Sequence, residues 1–507
     1  MKKPMNSVSI DIGTTGCKIE LFNSSGESLD KKSAEYALHI RHPGWAEQDP
    51  VEIYAAIMKC LRQIPMNKVD AIVLGASFHS VIALDASGSP ISPLLVWYDN
   101  RAIDEANIIK AELPGLYERT ACPSHPMYLP AEILWFKHNF PDYGKIRRFV
   151  SMKEFVVYRW FGSFLVDRSI ASGSGLYNFR TDNWDRELLA YLGMDEEQLS
   201  QIVDTIYQVV VSPESPLTEV GLRSGTVCVL GAGDGVLSSL GVGAVRKGQL
   251  TAMIGESGAV RIISPVPKVD NRARTWCYYL SKDLWVVGGA INNGGIAYRW
   301  IRDNFMQEEV KLAKENGWDS YEVINQKVME IPPGAEGLIC LPYLTGERSP
   351  HWNANVRGVF LGLGLQHSRF HMARATIEGV AFRMYSVFLA LQELGGQVNE
   401  VFLTGGVSRS PLWVQTFADV FQREVLLSRR EASSFGAWIL LQYAQGHIKS
   451  LTEANLLTGD MEKYQPRTDL APLYAELYDM YNRIYANLQG EFMQISNLQR
   501  RLSKSDF

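Results

Sequence analysis

Two stretches of this 507-residue chain share one pattern: "SIDIGTTGCKIELF" (Ser9 to Phe22) and "LTAMIGESGAVRII" (Leu250 to Ile263). Each runs as an apolar strand, breaks at glycines and hydroxyl residues, and resumes as a second strand. Laid together, Ile12-Gly13 falls on Ile254-Gly255, and Thr15-Gly16 falls on Ser257-Gly258. A lone two-stranded unit is marginal in water and needs further strands or a helix against it. Two copies therefore predict two domains on one supersecondary plan. A chain of this length is also too long for a single core. The boundary is expected near Ala244 to Gly248, where "GAVRKG" puts charge and glycine between apolar stretches, which divides the chain into 1–246 and 247–507.

The opening reads as strands over Val8 to Asp11, Cys17 to Asn23 and Lys31 to Tyr36, with a turn at "NSSGES". A helix follows in "EQDPVEIYAAIMKCLRQI", with Asp49 as N-cap and Pro50 at the first helical position. "VDAIVLGAS" is a short apolar run ending in small residues, as a buried parallel strand feeding a loop would be. Later, "HMARATIEGVAFRMYSVFLALQEL" and "PLWVQTFADVFQREV" read as helices flanking the strand "VNEVFLTGG". This alternation predicts an α/β fold.

Composition removes several function classes. A net charge of −5 supplies no basic face to displace counterions, so nucleic acid is not the expected partner and a small soluble ligand is. Cys17, Cys60, Cys122, Cys228, Cys277 and Cys340 have no C-x-x-C spacing, which argues against structural zinc and a secreted disulfide scaffold; they read as reduced cytosolic thiols. No run reaches the ~18–20 apolar residues needed to span a bilayer, and "MKKPMNS" lacks the apolar region of a signal peptide. The expected location is the cytoplasm, with no membrane partner. The aromatic stretch "YNFRTDNW" is a candidate surface for a homodimer.

Three turns carry chemistry. A strand ending in Asp11 and turning through Gly13, Thr14, Thr15 and Gly16 gathers backbone N–H groups and hydroxyls in one place, a nest suited to an oxyanion. Phosphate is the natural guest. Asp11 would repel it unless a divalent cation lay between, and Mg²⁺, which takes few carboxylates plus phosphate oxygens and water, removes that conflict. Lys18 adds a positive charge further along the second strand. The alternative is a plain hairpin whose Asp and Thr side chains bond the turn backbone. In "VCVLGAGDGVLSSLGVGA" an apolar strand runs into Asp234 between glycines, placed either as an ordinary N-cap or to meet a substrate hydroxyl. In "LTGGVSRSPLWVQTFADV", Gly405-Gly406 before a helix forms a shelf against which a flat ring can lie.

On these residues the chain resembles the FGGY family of carbohydrate kinases over nearly its whole length. "GVFLGLGLQHSRFHMARATIE" (Gly358 to Glu378) is similar to that family's C-terminal signature, and "DIGTTGCK", "GAGD", "YLTGERSPHW" and "LTGGVSRS" match its motifs. Within the family the chain looks most like the gluconate kinases, in "GWAEQDP", "FHSVIALD", "WYDNRA" and "WVVGGAINNGGIAYRWIRD". The resemblance implies two actin-like, ribonuclease-H-like domains flanking a deep cleft, the N-terminal one binding sugar and the C-terminal one nucleotide. It also implies Mg-ATP as donor and a sugar acid, D-gluconate, as acceptor. Carried over by position, Asp11 would organise Mg²⁺, Thr14, Thr15 and Lys18 would meet the terminal phosphate, and Asp234 would be the general base. His79, Trp97, Asp99 and Arg101 would line the sugar site. Gly255 and Ser257 would form the second phosphate turn, and Gly405, Gly406 and Ser410 would meet the adenosine.

An aldonate carboxylate needs a cation, for which Arg101 is the first candidate and Arg348 the second, because a guanidinium takes both oxygens. One departure stands out: where the family commonly has G-T-S-G, this chain has Gly255-Glu256-Ser257-Gly258. An acid beside a polyphosphate weakens its binding unless it points away or helps hold the metal. A xylulokinase or other polyol kinase of the same fold, and an ATPase that needs no sugar, are the competing readings.

Overall fold

The computed structural model describes residues 5–42 and 44–502. The chain divides into two compact units. The first holds the residues up to Arg246 together with Ile263–Val287 and Arg430–Gly459; the second holds Lys247–Ile262, Gly288–Arg429 and the chain from Asp460 onward. Thus two segments beyond the expected boundary at 246 pack with the N-terminal half. Among the described residues no helix is long and apolar enough to cross a membrane.

The first unit is built on a six-stranded sheet in the order Gln208–Val210, Val227–Gly233, Ala71–Ala76, Ser7–Ile12, Gly16–Phe22, Ser28–Glu35. Its three central strands are parallel, and the opening stretch forms the antiparallel hairpin expected of it. Every residue of Ser7–Ile12 and Ala71–Ala76 is buried, which accounts for the continuous apolar run AIVLGA of the second; the first, SVSIDI, also buries Ser7, Ser9 and Asp11. Asp49 caps the helix Pro50–Leu61 by accepting from the N–H groups of Val51 and Glu52, with Pro50 in its first turn. Helices Asp234–Gly241 and Ala432–Ala444 lie against each other with Gly241 and Gly436 at the contact. A Cβ on Gly241 would sit 1.9 Å from the carbonyl oxygen of Ala432.

In the second unit five consecutive strands run in the order Gly258–Ser264, Gln249–Ile254, Glu400–Thr404, Glu424–Leu427, Glu462–Tyr464. Their pairings are antiparallel, parallel, parallel and antiparallel. Strands of the first unit from Gly16–Phe22 to Gln208–Val210 take the same spatial positions and directions, but the edge strand Gln208–Val210 precedes its neighbour Val227–Gly233 in the chain, whereas Glu462–Tyr464 follows Glu424–Leu427. The repeat visible in two turns therefore extends to four strands of each sheet. The helix Arg369–Gly395 runs for 27 residues and buries two ion pairs within this unit, Arg374–Glu378 at 2.8 Å and Arg383–Glu347 at 3.3 Å.

The "YNFRTDNW" stretch is not an exposed aromatic surface. Tyr177 and Trp184 are buried in the first unit; the Tyr177 hydroxyl donates to Asp182, and the Trp184 indole donates to the carbonyl of Ser200 at 3.1 Å. Two short strands pair these residues and turn their rings into the core.

Candidate active site

Asp11, Gly75 and Ala232 occupy one row across the three parallel strands of the first unit. Asp234 begins its helix two residues beyond Ala232, so both acids lie toward the carboxyl ends of the two parallel strands that flank Ala71–Ala76, where α/β sheets bind ligands. Asp11 Oδ2 accepts a hydrogen bond from Ser433 Oγ at 2.6 Å. Its Oδ1 is buried with no hydrogen-bond partner among the described residues. Burial raises the Asp11 carboxyl above its ordinary value, against the opposing pull of Ser433 and Lys18. A buried carboxylate oxygen without a donor is the environment a cation relieves. One carboxylate beside an oxyanion turn fits Mg²⁺, which keeps most of its coordination for water and phosphate.

The turn after Asp11 is held from outside. Tyr36 donates to the Gly13 carbonyl, Gln48 Nε2 to the Thr14 carbonyl at 2.9 Å, and Trp97 Nε1 to Thr14 Oγ1 at 3.1 Å. The N–H groups of Thr14 and Thr15 donate to no acceptor among the described residues. Two consecutive open donors beside hydroxyls form the nest that the sequence suggests. Lys18 is placed differently from a phosphate ligand: its Nζ lies 2.8 Å from Glu431, which also takes Lys31 at 3.4 Å. Burial alone would raise Glu431, but the two lysines outweigh it and hold the carboxyl below its ordinary value.

Asp234 is not the N-cap of its helix. Gly233 occupies that position, and Asp234 is the first helical residue, with Oδ1 accepting from the Gly235 N–H at 2.6 Å. The strand before it is fixed by Phe78, whose ring fills the space a side chain at Gly233 would need: a Cβ there would meet Phe78 Cζ at 2.0 Å. The buried Lys153–Asp167 pair, 2.7 Å apart, reaches the same strand through Lys153 Nζ to the Ala232 carbonyl at 3.3 Å.

Of the four expected acceptor residues, two border a common pocket of the first unit and two do not. His79 and Trp97 line a small pocket with Gly13, Gln48 and Ser77. His79 adopts a left-handed backbone, φ 58°, a conformation that costs free energy in a residue with a Cβ. Its Nε2 lies 3.3 Å from the Tyr278 hydroxyl, which in turn is 3.0 Å from the Tyr128 hydroxyl. Asp99 is buried: Oδ2 accepts from the Ala46 N–H at 2.6 Å, and both oxygens engage Arg101. The Arg101 guanidinium lies 3.9 Å from the ring centre of Trp45, with Nη2 also 2.8 Å from Glu47. The cation assigned in sequence to an acceptor's carboxylate thus already has two carboxylates of its own chain. Behind His79, Glu132 borders a cavity of about 30 Å³, its Oε1 buried without a hydrogen-bond partner among the described residues.

The second unit contains a cavity of about 460 Å³ lined by Gly255, Glu256, Gly406 and Ser410 and walled by Tyr298, Tyr321 and Trp413. Gly405 has φ 97°, and a Cβ there would lie 2.4 Å from the Ile254 carbonyl oxygen, so the shelf is glycine by necessity. Ser410 Oγ accepts from Asn325 Nδ2 at 3.1 Å, and Asn325 Oδ1 accepts from the Tyr298 hydroxyl at 2.7 Å. The chain orients Asn325 fully and leaves the Ser410 hydroxyl proton for a ligand. The N–H groups of Glu256 and Ser257 donate to no acceptor among the described residues, as in the first turn. Glu256 pairs with Arg299 at 2.6 Å. Arg348 is buried, with Nη2 donating to the Ile291 carbonyl at 3.1 Å.

Sequence reasoning passes over Ser433, Glu431, Tyr278, Gln48 and Arg299. Ser433 and Glu431 sit in an unremarkable "REASS" and Tyr278 in a plain aromatic strand; only chain folding brings them to the motif residues. Gln48 and Arg299 carried a signal, each lying in a stretch already singled out, "GWAEQDP" and "WVVGGAINNGGIAYRWIRD".

The chain matches the FGGY family of carbohydrate kinases, N-terminal domain, over residues 7–241, and the C-terminal domain of that family over residues 250–445. It is 39% identical to a gluconokinase of Bacillus licheniformis, over 97% of this chain and 98% of that one. Among solved structures, a ligand-bound xylulose kinase from Lactobacillus acidophilus superposes with a TM-score of 0.89 at 29% identity, covering 97% of this chain and 100% of the other. A gluconate kinase from the same organism superposes with a TM-score of 0.87 at 30% identity and the same coverage. With both domain models matched and two units repeating one strand plan, the chain belongs to the FGGY family of carbohydrate kinases and has that family's two-domain, actin-like fold.

Proposed function

We propose that this carbohydrate kinase transfers the terminal phosphoryl group of Mg-ATP to the terminal hydroxyl of D-gluconate, giving 6-phosphogluconate and ADP. The observation that carries the acceptor is the chain's higher identity to the Bacillus licheniformis gluconokinase than to the Lactobacillus acidophilus xylulose kinase. In this reading Asp234 accepts the proton of the acceptor hydroxyl as its oxygen bonds to the γ-phosphorus and the bond to the ADP oxygen breaks. An aspartate of ordinary basicity suffices because, in a loose phosphoryl-transfer transition state, the hydroxyl proton leaves late. Asp11 and the Thr14–Thr15 turn hold the phosphoryl end, and magnesium, when bound, neutralises its charge. His79 and Trp97 flank the acceptor, while the Asp99–Arg101–Glu47 cluster fixes the wall that carries Trp97. The aromatic cavity with Gly406 and Ser410 takes the adenosine.

A xylulokinase is the second reading, favoured by the superposition on the ligand-bound xylulose kinase. A coupled assay of ADP release with D-gluconate and with D-xylulose separates the two. The proposal expects kcat/KM on gluconate to exceed that on xylulose by at least about 100-fold, because polar groups placed for a six-carbon acid are left unpaired around a five-carbon ketose without the carboxylate. Preference for xylulose overturns it, and hydrolysis indifferent to either sugar overturns both.

A further inference from the structure

The second phosphate turn carries a carboxylate where an uncharged hydroxyl would serve an anion better, and the structure supplies its counterpart. Glu256 Oε1 lies 2.6 Å from Arg299 Nη1, and both side chains border the 460 Å³ cavity. The pairing is built into the backbone. The Glu256 carbonyl accepts from the N–H groups of Gly294 and Ile296, at 2.9 and 3.1 Å, and the Gly255 carbonyl from Gly295 at 2.8 Å. The turn is thereby stitched to the start of the helix Gly295–Phe305, which carries Arg299 one turn in. A Cβ on Gly294 would meet the Ser257 carbonyl oxygen at 2.5 Å, so the helix approaches the turn as closely as backbone allows. Asp319 and Glu322 also border this cavity, making it acidic apart from Arg299 and Arg409.

We infer that Arg299 is a positioning residue for the nucleotide: it neutralises and holds aside Glu256, so that the open N–H groups of Glu256 and Ser257 meet the polyphosphate without a competing negative charge. This rests on the reading of the cavity as the nucleotide site. Both side chains are partly exposed, 55% for Glu256 and 40% for Arg299, so the pair adds little to folding stability. Its effect lies in the field at the turn. Removing Arg299 leaves a bare carboxylate beside a ligand of several negative charges, a Coulomb penalty of about tenfold in affinity at a partly solvated site.

The test is Mg·ADP binding by calorimetry, together with the ATP and acceptor KM values, on the full chain and on Arg299→Ala, Arg299→Lys, Glu256→Gln and the double variant Arg299→Ala with Glu256→Gln. Arg299→Ala is expected to weaken nucleotide about tenfold and leave the acceptor KM within about twofold, with a defect that shrinks as salt screens the exposed charge. Arg299→Lys recovers most of the loss, and the double variant returns to within about threefold of the wild type. A double variant as weak as Arg299→Ala, or a defect independent of salt and charge, overturns the inference. Should Arg299→Ala fail to fold, Glu256→Gln alone decides: unchanged or tighter nucleotide binding supports the inference and a tenfold loss overturns it. Wild-type protein that binds no Mg·ADP overturns the nucleotide reading itself, and with it the inference.

Discussion

The hydroxyl of Ser433 lies 2.6 Å from Oδ2 of Asp11, 422 residues away in the sequence. It holds one oxygen of a buried carboxylate and leaves Oδ1 as the oxygen open to a cation. Ser433→Ala frees the carboxylate to rotate. A hydrogen bond to a charged group contributes about 1.5–3 kcal/mol, so a roughly tenfold or greater rise in the Mg²⁺ concentration for half-maximal rate is expected. Titration of the initial rate with Mg²⁺ checks it, and an unchanged midpoint assigns Ser433 to packing alone.

Asp234 is a first-turn helical residue whose cap position belongs to Gly233. Asp234→Asn keeps its size and its bond to the Gly235 N–H, so folding stability should change by less than about 1 kcal/mol. Loss of the base should lower kcat by about 10² to 10⁴ with little change in either KM. Steady-state kinetics beside a thermal melt separate the two effects; near-normal turnover makes Asp234 a structural residue.

Arg101 joins Asp99 and Glu47 under the Trp45 ring with its side chain 3% exposed. Arg101→Ala strands two buried carboxylates and should destabilise the first unit by about 3–5 kcal/mol. Chemical denaturation monitored by tryptophan fluorescence measures this. A stable variant with a raised gluconate KM would instead place Arg101 on the acceptor.

Glu132 is 2% exposed, and burial, followed by the nearby Asp99, raises its carboxyl well above the ordinary value, with Arg101 opposing. The folded protein therefore keeps a proton that the unfolded chain releases above its ordinary pKa of about 4.5. The stabilisation from that proton is complete at low pH and is lost as pH rises toward the folded value, by up to about 1.4 kcal/mol per pH unit. Glu132→Gln has no such proton to lose. It should melt above the wild type at pH 8 and converge with it near pH 4.5; parallel melting curves across that range would show a carboxyl ionised in the fold.

The sequence by itself determined the elements whose cause is local. Alternation and turn chemistry specify the hairpin through Gly13–Gly16, Asp49 and Pro50 specify a helix start, and the echo between Gly13 and Gly255 reveals a repeat that extends to four strands in each sheet. Gly405 was legible because its backbone admits no side chain, and Asp11 and Asp234 because each is an acid set beside glycines at the end of a strand. Only the tertiary structure decided what each side chain meets. Ser433 completes Asp11, Glu431 claims Lys18, Asp99 and Glu47 occupy Arg101, and Arg299 answers Glu256. Those partners come from separate elements, Ser433 and Glu431 at a helix start, Glu47 in a short strand and Arg299 within a helix, far from the motifs they meet or without a mark of the pairing. A charge carries no mark of its counterion in sequence, because Coulomb attraction acts through space and the chain's folding, not its order, sets the distances.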